Sequence, residues 1–246
     1  MTAKRRADQL LVERGLAESR QRAQALILAG LVYAGERRID KSGETIADTA
    51  EVEVRGRDHP WVSRGGVKLA HALDRFAIDV AGLVAIDIGA STGGFTDALL
   101  ARGAARVHAV DVGRGQLAWK LRQDPRVVVH EGVNARYLSE AEIAEPVDVV
   151  TCDASFIGLA TVLPAGLART KPRALLVALV KPQFEAGPGA VGKGGVVRDP
   201  EIHRAVCEAA SLWVASRGWS VVGLIDSPIT GPAGNREFLL YARKTP

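Results

Sequence analysis

The pattern of apolar and polar positions divides the chain into two parts of different character. Within residues 1–58, two short helical stripes precede two runs that alternate apolar and polar residues, at 31–34 and 51–54. From Val84 onward, short and nearly continuous apolar runs alternate with helical patterns, as parallel strands covered on both faces do. The first part therefore predicts a small α+β unit, and the second predicts an α/β domain with a mainly parallel sheet of seven strands.

The boundaries of the predicted elements follow from this pattern. In the first part, helices are expected at 7–15 and at 20–29, the second after Ser19 as its N-cap. Further helices are expected at 67–76, 94–102, 114–122, 159–168 and 200–217, and strands at 84–88, 106–111, 126–130, 147–152, 173–180, 219–225 and 237–243. We place the two domains at 1–58 and 67–246, with the polar and then rigid segment 59–66 as their linker.

Composition and charge narrow the class of protein. The chain has 246 residues, of which 47% are apolar, and this is typical of a folded globular protein. No run approaches the ~20 apolar residues of a membrane span, and the first residues lack the apolar core of a signal peptide. We expect the two cysteines to be reduced in a cytoplasmic protein, and the five histidines have no metal-ligand spacing, so neither a membrane nor a metal is expected. The net charge of +4 favours a polyanionic partner.

One stretch of the second part carries the clearest sign of a ligand. Residues 84–95 read as a buried strand, a turn at Gly89 and a helix that begins near Gly93 and Gly94. Glycines let the backbone approach a ligand closely, and the first amides of a helix attract negative groups. The spacing differs from the G-x-G-x-x-G of a dinucleotide site, and an acid, Asp87, precedes the turn. An amide cluster beside an acid suits a zwitterion, and S-adenosylmethionine (AdoMet) fits this description.

A second acid supports this interpretation. Asp111 ends the next predicted strand, 24 residues after Asp87, where it is expected to hold ribose hydroxyls. The alternative is an ordinary glycine-rich turn without a ligand. We expect the cofactor to contact residues of the turn and of the neighbouring strand ends, namely Asp87, Gly89, Ala90, Ser91, Thr92, Gly93, Gly94, Phe95, Asp111, Val112, Asn134 and Asp153.

Four charged residues from separate segments are expected to meet at the same edge of the sheet. Asp153 and Lys181 each follow a predicted strand, and Lys68 and Glu237 come from two other segments. Two lysines and two carboxylates suit methyl transfer to a ribose hydroxyl, because an amine or an ammonium group can activate this poor nucleophile. Taken singly, each of them could instead form a surface salt bridge. The glycine-rich segment 187–195 is expected to be a mobile lid.

A basic face is expected in the first part. Arg20 and Arg22 lie at the start of a predicted helix, where the helix dipole disfavours cations, and a bound phosphate would relieve this conflict. The commoner meaning of such a face is solvation. If the face binds RNA, we expect contacts from Arg5, Arg6, Arg20, Arg22, Arg37, Arg38, Lys41 and Arg64.

Two resemblances cover most of the chain. Gly15-Leu-Ala-Glu-Ser-Arg20-Gln-Arg-Ala23 and the following Ala-Gly30-Leu-Val32 resemble the S4 RNA-binding domain, although Ala7 stands where that family usually has Leu. The second part resembles the TlyA (haemolysin A) family, which joins an S4 domain to a domain similar to the FtsJ ribose methyltransferases. This resemblance rests on Asp87-Ile-Gly-Ala-Ser-Thr-Gly-Gly-Phe95, Val112-Gly-Arg-Gly-Gln-Leu-Ala-Trp119, Asp124-Pro-Arg-Val-Val-Val129, Ser155-Phe156, Val180-Lys-Pro-Gln-Phe-Glu185, Gly194-Gly-Val-Val-Arg-Asp-Pro200 and Gly231-Pro-Ala-Gly-Asn235.

The resemblance implies a specific activity. It implies a Rossmann-like domain that uses AdoMet to methylate the 2′-hydroxyl of a cytidine in ribosomal RNA. It also implies that Lys68, Asp153, Lys181 and Glu237 match the family's Lys-Asp-Lys-Glu catalytic set. The chain looks like the shorter form of the family, which acts on large-subunit (23S) RNA, so we expect a ribosomal RNA or subunit as partner and a monomer in solution. The linker has His59-Pro60 before Trp61, where some members have Arg-Ala.

Three other classes of function compete with this one. The older family name suggests a membrane-active haemolysin, which the absence of a membrane-length or strongly amphipathic segment disfavours. A catalytically inactive RNA-binding protein of the ribosome would lack the charged residues at the strand ends. A dehydrogenase that uses NAD is disfavoured by the glycine spacing.

Overall fold

The chain folds into two units, Met1–Pro60 and Trp61–Pro246. The computed structural model describes residues 4–17, 19–55, 59–192, 194–231 and 233–245. In these ranges no helix combines the length and the apolar character that crossing a membrane requires.

The first unit consists of two helices and two small antiparallel sheets. Its elements are β1 (Lys4–Arg6), α1 (Ala7–Glu13), α2 (Arg20–Leu28), β2 (Val32–Ala34), β3 (Arg37–Arg38), β4 (Thr45–Ala47) and β5 (Val52–Val54). β1 pairs with β4, and β2 lies between β3 and β5. Leu10 and Leu11 of α1 pack with Ile27 of α2 and Val32 of β2 in one core.

The predicted elements of the first unit are confirmed, and the local signals explain their ends. The chain turns after α1 at Gly15, which has a φ of 68°. The Ser19 side chain caps α2 by accepting a hydrogen bond from the Arg22 amide at 3.1 Å. The alternating runs form β2 and β5. The strands β1, β3 and β4 were not predicted, because each has at most three residues and mostly exposed or half-exposed positions.

The second unit contains the predicted sheet of seven strands. Its elements are α3 (Gly65–Arg75), β6 (Val84–Ile88), α4 (Gly94–Ala101), β7 (Arg106–Asp111), α5 (Trp119–Arg122), β8 (Val127–Glu131), β9 (Val147–Cys152), α6 (Leu159–Ala168), β10 (Thr170–Val180), α7 (Pro182–Glu185), α8 (Pro200–Ser216), β11 (Trp219–Asp226) and β12 (Phe238–Lys244). The strand order is β11-β12-β10-β9-β6-β7-β8. β12 runs opposite to the other six strands, so the prediction of a mostly parallel sheet is confirmed.

The sheet is covered on both faces, and this explains the unbroken apolar strands. Ala85 of β6 packs with Leu69 of α3 and Leu99 of α4, whereas Ile86 lies in the opposite cluster, with Leu163 of α6. The chain leaves β6 toward β7 on one side and continues with β9 on the other. Such a reversal opens a crevice at the carboxyl ends of the strands, where ligands bind in folds of this kind.

One predicted helix is wrong in most of its length. Residues 114–122 were expected to be helical, but α5 contains only Trp119–Arg122. The Glu131 carboxylate accepts hydrogen bonds from the amides of Gly115, Gln116 and Leu117 at 2.8, 3.0 and 3.3 Å. These amides face a side chain at the end of β8, so residues 113–118 form an ordered loop.

Candidate functional site

The loop between β6 and α4 has a backbone that requires glycine at two positions. Gly89 has a φ of 79° and Gly93 a φ of 98°. A Cβ atom at Gly89 would lie 2.9 Å from the Ala154 backbone, and one at Gly93 would lie 2.3 Å from the Leu121 side chain. The loop therefore packs directly against the segment after β9 and against α5.

Most amides of this loop are already bonded within the protein, which limits what a ligand can contact. The amides of Gly89 and Ala90 donate to the Val110 carbonyl at 2.9 and 3.1 Å. In the described ranges, the amides of Gly94 and Phe95 in the first turn of α4 have no protein acceptor. These two amides are the ones that can face a negative group.

Asp111 stands at the end of β7 with its carboxylate held in a fixed orientation. Its two oxygens accept hydrogen bonds from the amides of Ser91 and Gly113, at 2.8 and 2.7 Å. Each carboxylate oxygen has two acceptor positions, so both oxygens keep capacity for a further donor. The residue is half-buried. A carboxylate that is oriented and partly open in this way can accept hydrogen bonds from ribose hydroxyls.

Asp87 has a different position from the one expected. Its side chain is fully buried and accepts hydrogen bonds from the hydroxyls of Thr96 and Thr151, at 2.7 and 3.1 Å. Burial raises the pKa of this carboxyl to about 6, although both threonines oppose the shift. The expectation that Asp87 contacts the ammonium group of a ligand is therefore not supported, because its carboxylate has no open surface. Instead it joins β6 to α4 and to β9 underneath the loop.

The other predicted cofactor residues differ in exposure and in the contacts that they make. The Phe95 side chain is buried, so only its backbone is available to a ligand. Val112 is exposed directly after Asp111. Asn134 is exposed and accepts a hydrogen bond from the Arg136 amide at 3.1 Å, where it begins a short 3-10 turn. Thr92 joins the loop to the segment before α5, since its carbonyl accepts a hydrogen bond from Ala118.

Glu131 is a residue of this site that the sequence analysis missed. Besides the three loop amides, its carboxylate pairs with Arg122. These contacts lower its pKa to about 2, so it is ionised at neutral pH and fixes the loop that follows Asp111. Glu131 directly follows the predicted strand 126–130, which is a usable signal, but the sequence analysis took Asn134 as the polar residue at this strand end.

The four predicted catalytic residues lie next to each other. Lys68 Nζ is 2.6 Å from Glu237 Oε2 and 4.0 Å from Asp153 Oδ2, and Lys181 Nζ is 2.6 Å from Asp153 Oδ1. The side chains of Lys68, Lys181 and Glu237 are at most 9% exposed, whereas that of Asp153 is 20% exposed. The result is a row of alternating charges, Glu237, Lys68, Asp153 and Lys181, at the carboxyl edge of the parallel strands. These contacts exclude the surface salt bridge as an explanation for Lys68, Lys181 and Glu237.

An exposed aromatic side chain beside this row was also missed. Phe156 is 90% exposed and has a φ of 65°, an uncommon backbone conformation for a bulky residue. Its ring centroid lies 5.1 Å from that of Phe184, three residues after Lys181. Exposed aromatic rings are surfaces on which unpaired RNA bases stack. The sequence motif contained Phe156, but the pattern gave no indication that its ring faces solvent.

The glycine-rich segment 187–195 is attached at one end. The buried Asn235 side chain donates to the Gly195 carbonyl and accepts from the Val197 amide, both at 2.9 Å. Residues Pro188–Ala190 form a short 3-10 turn, and Lys193 lies outside the described residues. Because Gly195 is bonded to Asn235, the predicted mobility of this segment stays a prediction for the residues before Gly194 only.

Most of the predicted RNA-binding residues are already paired with carboxylates. Arg6 and Arg20 both bond to the buried Asp8, at 2.9 Å each. The expected conflict between Arg20 and its helix dipole is therefore already relieved inside the protein, and no bound phosphate is needed to explain it. The remaining ion pairs of the set are Arg5 with Glu13 and Asp48, Arg37 with Glu44, and Arg38 with Asp40.

Three members of the set have no carboxylate partner. In the described ranges, the side chains of Arg22 and Lys41 form no ion pair or hydrogen bond within the protein, and Lys41 is exposed. Arg64, directly before α3, donates to the Thr230 carbonyl. Arg22 and Lys41 are therefore the cations of the first unit's set that can meet a polyanion without breaking an ion pair.

Two histidines meet although their sequence spacing gave no sign of it. His108 Nδ1 of β7 lies 3.0 Å from His130 Nε2 of β8, and His108 Nε2 lies 3.1 Å from Glu145. Burial lowers the pKa of both imidazoles. Among the residues that the structure covers, no group of three or more His, Cys, Asp or Glu side chains could hold a metal ion.

Comparison with known proteins agrees with this geometry. Residues 61–244 match the FtsJ-like methyltransferase family, and residues 5–52 match the S4 domain. The chain is 50% identical over 244 residues to "16S/23S rRNA (cytidine-2'-O)-methyltransferase TlyA" of Mycobacterium tuberculosis, covering 99% of this chain and 91% of that protein. It is 34% identical over 187 residues to "23S rRNA (cytidine-2'-O)-methyltransferase TlyA" of Campylobacter jejuni, covering 74% and 70%.

A solved structure extends the similarity to the fold of the whole chain. "Putative hemolysin from Streptococcus thermophilus" is 45% identical and aligns with a TM-score of 0.78, covering 100% of this chain and 90% of that one. The α/β sheet and the preceding S4-type unit are thus shared by both chains.

Proposed function

Because the chain belongs to the TlyA family, in which an FtsJ-like methyltransferase domain follows an S4 domain, we propose that it methylates the 2′-hydroxyl of a cytidine in ribosomal RNA. The observation that carries this proposal is the row of alternating charges formed by Glu237, Lys68, Asp153 and Lys181. Its members come from four separate segments and meet at the edge of the sheet where a ligand is bound.

The loop between β6 and α4 fits AdoMet, the cofactor of this family. The free amides of Gly94 and Phe95 suit its carboxylate, and the oriented carboxylate of Asp111 suits its ribose hydroxyls. When bound, AdoMet supplies a methyl group attached to a sulfonium centre. Transfer of that methyl group turns the sulfonium into a neutral thioether, which is a good leaving group. Asp87 supports this loop without contacting the cofactor, because its buried carboxylate accepts hydrogen bonds from Thr96 of α4 and Thr151 of β9.

Lys181 is the group that handles the proton of the target hydroxyl. A ribose hydroxyl is a weak nucleophile at neutral pH, and a positioned base increases its reactivity. Once the Lys181 ammonium has released a proton to solvent, its amine accepts the proton of the target hydroxyl. The resulting ammonium pairs with the Asp153 carboxylate, 2.6 Å away, and releases that proton to solvent before the next turnover. Lys68 lies 4.0 Å from the same carboxylate and is itself paired with Glu237, so it limits how strongly Asp153 holds that ammonium.

Phe156 is positioned to receive the base of the target nucleotide. Its ring is exposed, follows Ser155 in the chain and lies beside the segment that carries Lys181. Stacking of a base against an aromatic ring holds an unpaired nucleotide without reading its sequence. The choice of cytidine must then come from contacts to the base edge.

The first unit supplies RNA affinity, with Arg22 and Lys41 as its available cations. The relatives are named for methylation of 16S and 23S rRNA. We propose the large-subunit 23S RNA as the target of this chain. We also propose that it acts as a monomer in the cytoplasm, where ribosomal subunits are present. The name hemolysin belongs to a relative and corresponds to no feature of the site described above.

The proposal is tested with purified small subunits, large subunits and 70S ribosomes, each incubated with the protein and AdoMet labelled in its methyl group. We expect label in the large subunit and, after digestion to nucleosides, in 2′-O-methylcytidine. Asp111→Ala should weaken AdoMet binding about tenfold or more, because it removes a charged acceptor. Label in a base, or in no ribosomal RNA, would contradict the proposal, and label in the small subunit alone would contradict the target.

A further inference from the structure

The amino group of Lys181 has three acceptors around it. Nζ lies 2.6 Å from Asp153 Oδ1, 3.2 Å from the Asp153 carbonyl and 2.9 Å from Ser155 Oγ. An ammonium group has three N–H donors, so each of them is matched by one acceptor. A target hydroxyl can reach Nζ only by displacing one of these three.

Ser155 is the most exposed of the residues that supply these acceptors. The Asp153 carboxylate makes a charged pair with Lys181 at 2.6 Å, whereas the Asp153 carbonyl, directly after β9, makes the longest of the three contacts, at 3.2 Å. The carbonyl contact is therefore the one that a target hydroxyl can replace at the lowest cost. Ser155 is exposed, whereas the Lys181 side chain is only 7% exposed. Its hydroxyl therefore lies on the solvent side of the amino group, the side from which a nucleotide must approach.

A hydroxyl also has a chemical property that the other two acceptors lack. Carboxylate and carbonyl oxygens can only accept, whereas a serine hydroxyl accepts from an ammonium group and donates to the lone pair of an amine. The Ser155 contact can therefore persist in both protonation states of Lys181. A base that gains and loses a proton in each turnover needs such a partner to keep its position.

The segment that carries Ser155 is attached to the segment that carries Lys181. Glu185 Oε1 accepts a hydrogen bond from the Leu159 amide at 2.7 Å. Phe184 contacts Phe156, with ring centroids 5.1 Å apart. These contacts attach the residues that follow Ser155 to the residues that follow Lys181, so the two segments are joined at more than one point.

We propose that Ser155 is a positioning residue for Lys181, whose amino group its hydroxyl keeps oriented on the open side of the charge row while the target 2′-hydroxyl binds to Nζ. This rests on the methyltransferase function proposed above. Ser155 acts through Lys181 and takes up no proton and no methyl group.

The test is single-turnover methylation of the accepted ribosomal substrate at saturating AdoMet and RNA, with Ser155→Ala and Ser155→Thr. We expect Ser155→Ala to lower the rate constant about tenfold, the size associated with a hydrogen bond to a charged group. Ser155→Thr keeps the hydroxyl and should stay within about threefold of the wild type. The dissociation constants for AdoMet and RNA should not change in either variant. Ser216→Ala, at the exposed last residue of α8, is the matched control and should be unaffected.

A second comparison separates positioning from a general structural role. In a Lys181→Ala background, Ser155→Ala should have no further effect, because the residue through which it acts is gone. The proposal is overturned if Ser155→Ala reacts at the wild-type rate, if Ser155→Thr loses as much as Ser155→Ala, or if the loss is the same with and without Lys181. A wild-type protein that methylates no ribosomal RNA would refute the proposed function instead, so the two failures are distinguishable.

Discussion

At the scale of single residues, the charge row explains why no member of it can be considered alone. Lys68 and Glu237 are buried and 2.6 Å apart, so removing either leaves a buried charge without its partner. Lys181→Ala leaves only Asp153 without its partner, and Asp153 is 20% exposed, whereas Asp153→Ala leaves a Lys181 side chain that is 7% exposed and keeps the Ser155 contact. Loss of activity in variants of Lys68 or Glu237 would therefore combine misfolding with chemistry, and the informative substitutions are at the other two positions.

We expect Lys181→Ala and Asp153→Ala to bind AdoMet and RNA nearly as the wild type does, and to lose about 10²–10⁴ in rate, the usual contribution of a positioned acid–base group. The double variant should lose little more than either single one, because the two residues act as a unit. Single-turnover transfer of a labelled methyl group measures the rate, and calorimetry measures cofactor binding. A Lys181→Ala variant that reacts at the wild-type rate would exclude the proposed proton transfer.

How much the sequence could predict is clearest at this same scale. Asp153 and Lys181 were found because a polar residue that directly follows an apolar strand must lie at the edge of the sheet. The burial of Asp87 could not be predicted, because it depends on Thr151, which comes 64 residues later and faces it only after β6 and β9 pair. The exposure of Phe156 depends on a backbone turn for which the sequence has no glycine signal.

At the scale of elements, β6, α4 and β9 are joined by one buried carboxylate. Asp87 of β6 contacts Thr96 of α4 and Thr151 of β9, so the cofactor loop and the strand that leads to Asp153 share one support. The loop at 113–118 has a similar support in Glu131. Helical periodicity over 114–122 missed this loop, because Gly115 has a φ of 69°, outside the helical region, and Glu131, the side chain that holds the loop, is distant in sequence.

The buried carboxyl predicts how stability depends on pH. Asp87 has a pKa of about 6 in the folded protein, against about 3.9 for an ordinary aspartate, so between these values the folded state holds the proton more tightly than the unfolded chain does. The free energy of unfolding must then fall as pH rises through this window, and the penalty stays constant above it.

Asp87→Asn removes this titration, while its amide can still bond to the two threonine hydroxyls. Relative to the wild type, the variant should gain about 3 kcal/mol in the free energy of unfolding between about pH 4 and pH 7. Urea denaturation of the second unit across this range measures the difference. Asp74→Asn, at an exposed carboxyl of α3 that pairs with Arg102, is the control. A difference that does not vary with pH would show that Asp87 does not titrate in this window.

At the scale of the whole molecule, fewer cations are available to bind a polyanion than the net charge of the sequence suggests. The net charge is +4, yet most arginines of the first unit's candidate face already have a carboxylate partner. Reversing Arg20 would break its bond to the buried Asp8 and disturb the core of the unit. Arg22 and Lys41 are better probes, because neither forms a pair that would be broken.

We expect the double variant Arg22→Glu, Lys41→Glu to bind RNA more weakly and to show a smaller salt dependence. Two lost phosphate contacts should reduce the slope of log K against log salt by about 1.5. AdoMet affinity should be unchanged, because both residues belong to the first unit. The charge-matched control is Arg204→Glu, Arg217→Glu, around α8. If the control lowers the slope as much as the test variant, the RNA contacts are not specific to this face.

The antiparallel strand β12 completes the charge row last in chain order, because Glu237 directly precedes it. The cofactor residues and three members of the charge row, Lys68, Asp153 and Lys181, leave the ribosome before Glu237, which enters with the last strand. That strand must insert between β10 and β11, which are both made earlier. A chain that ends before β12 lacks Glu237 and leaves Lys68 without its 2.6 Å partner, so we expect it to be inactive in methyl transfer.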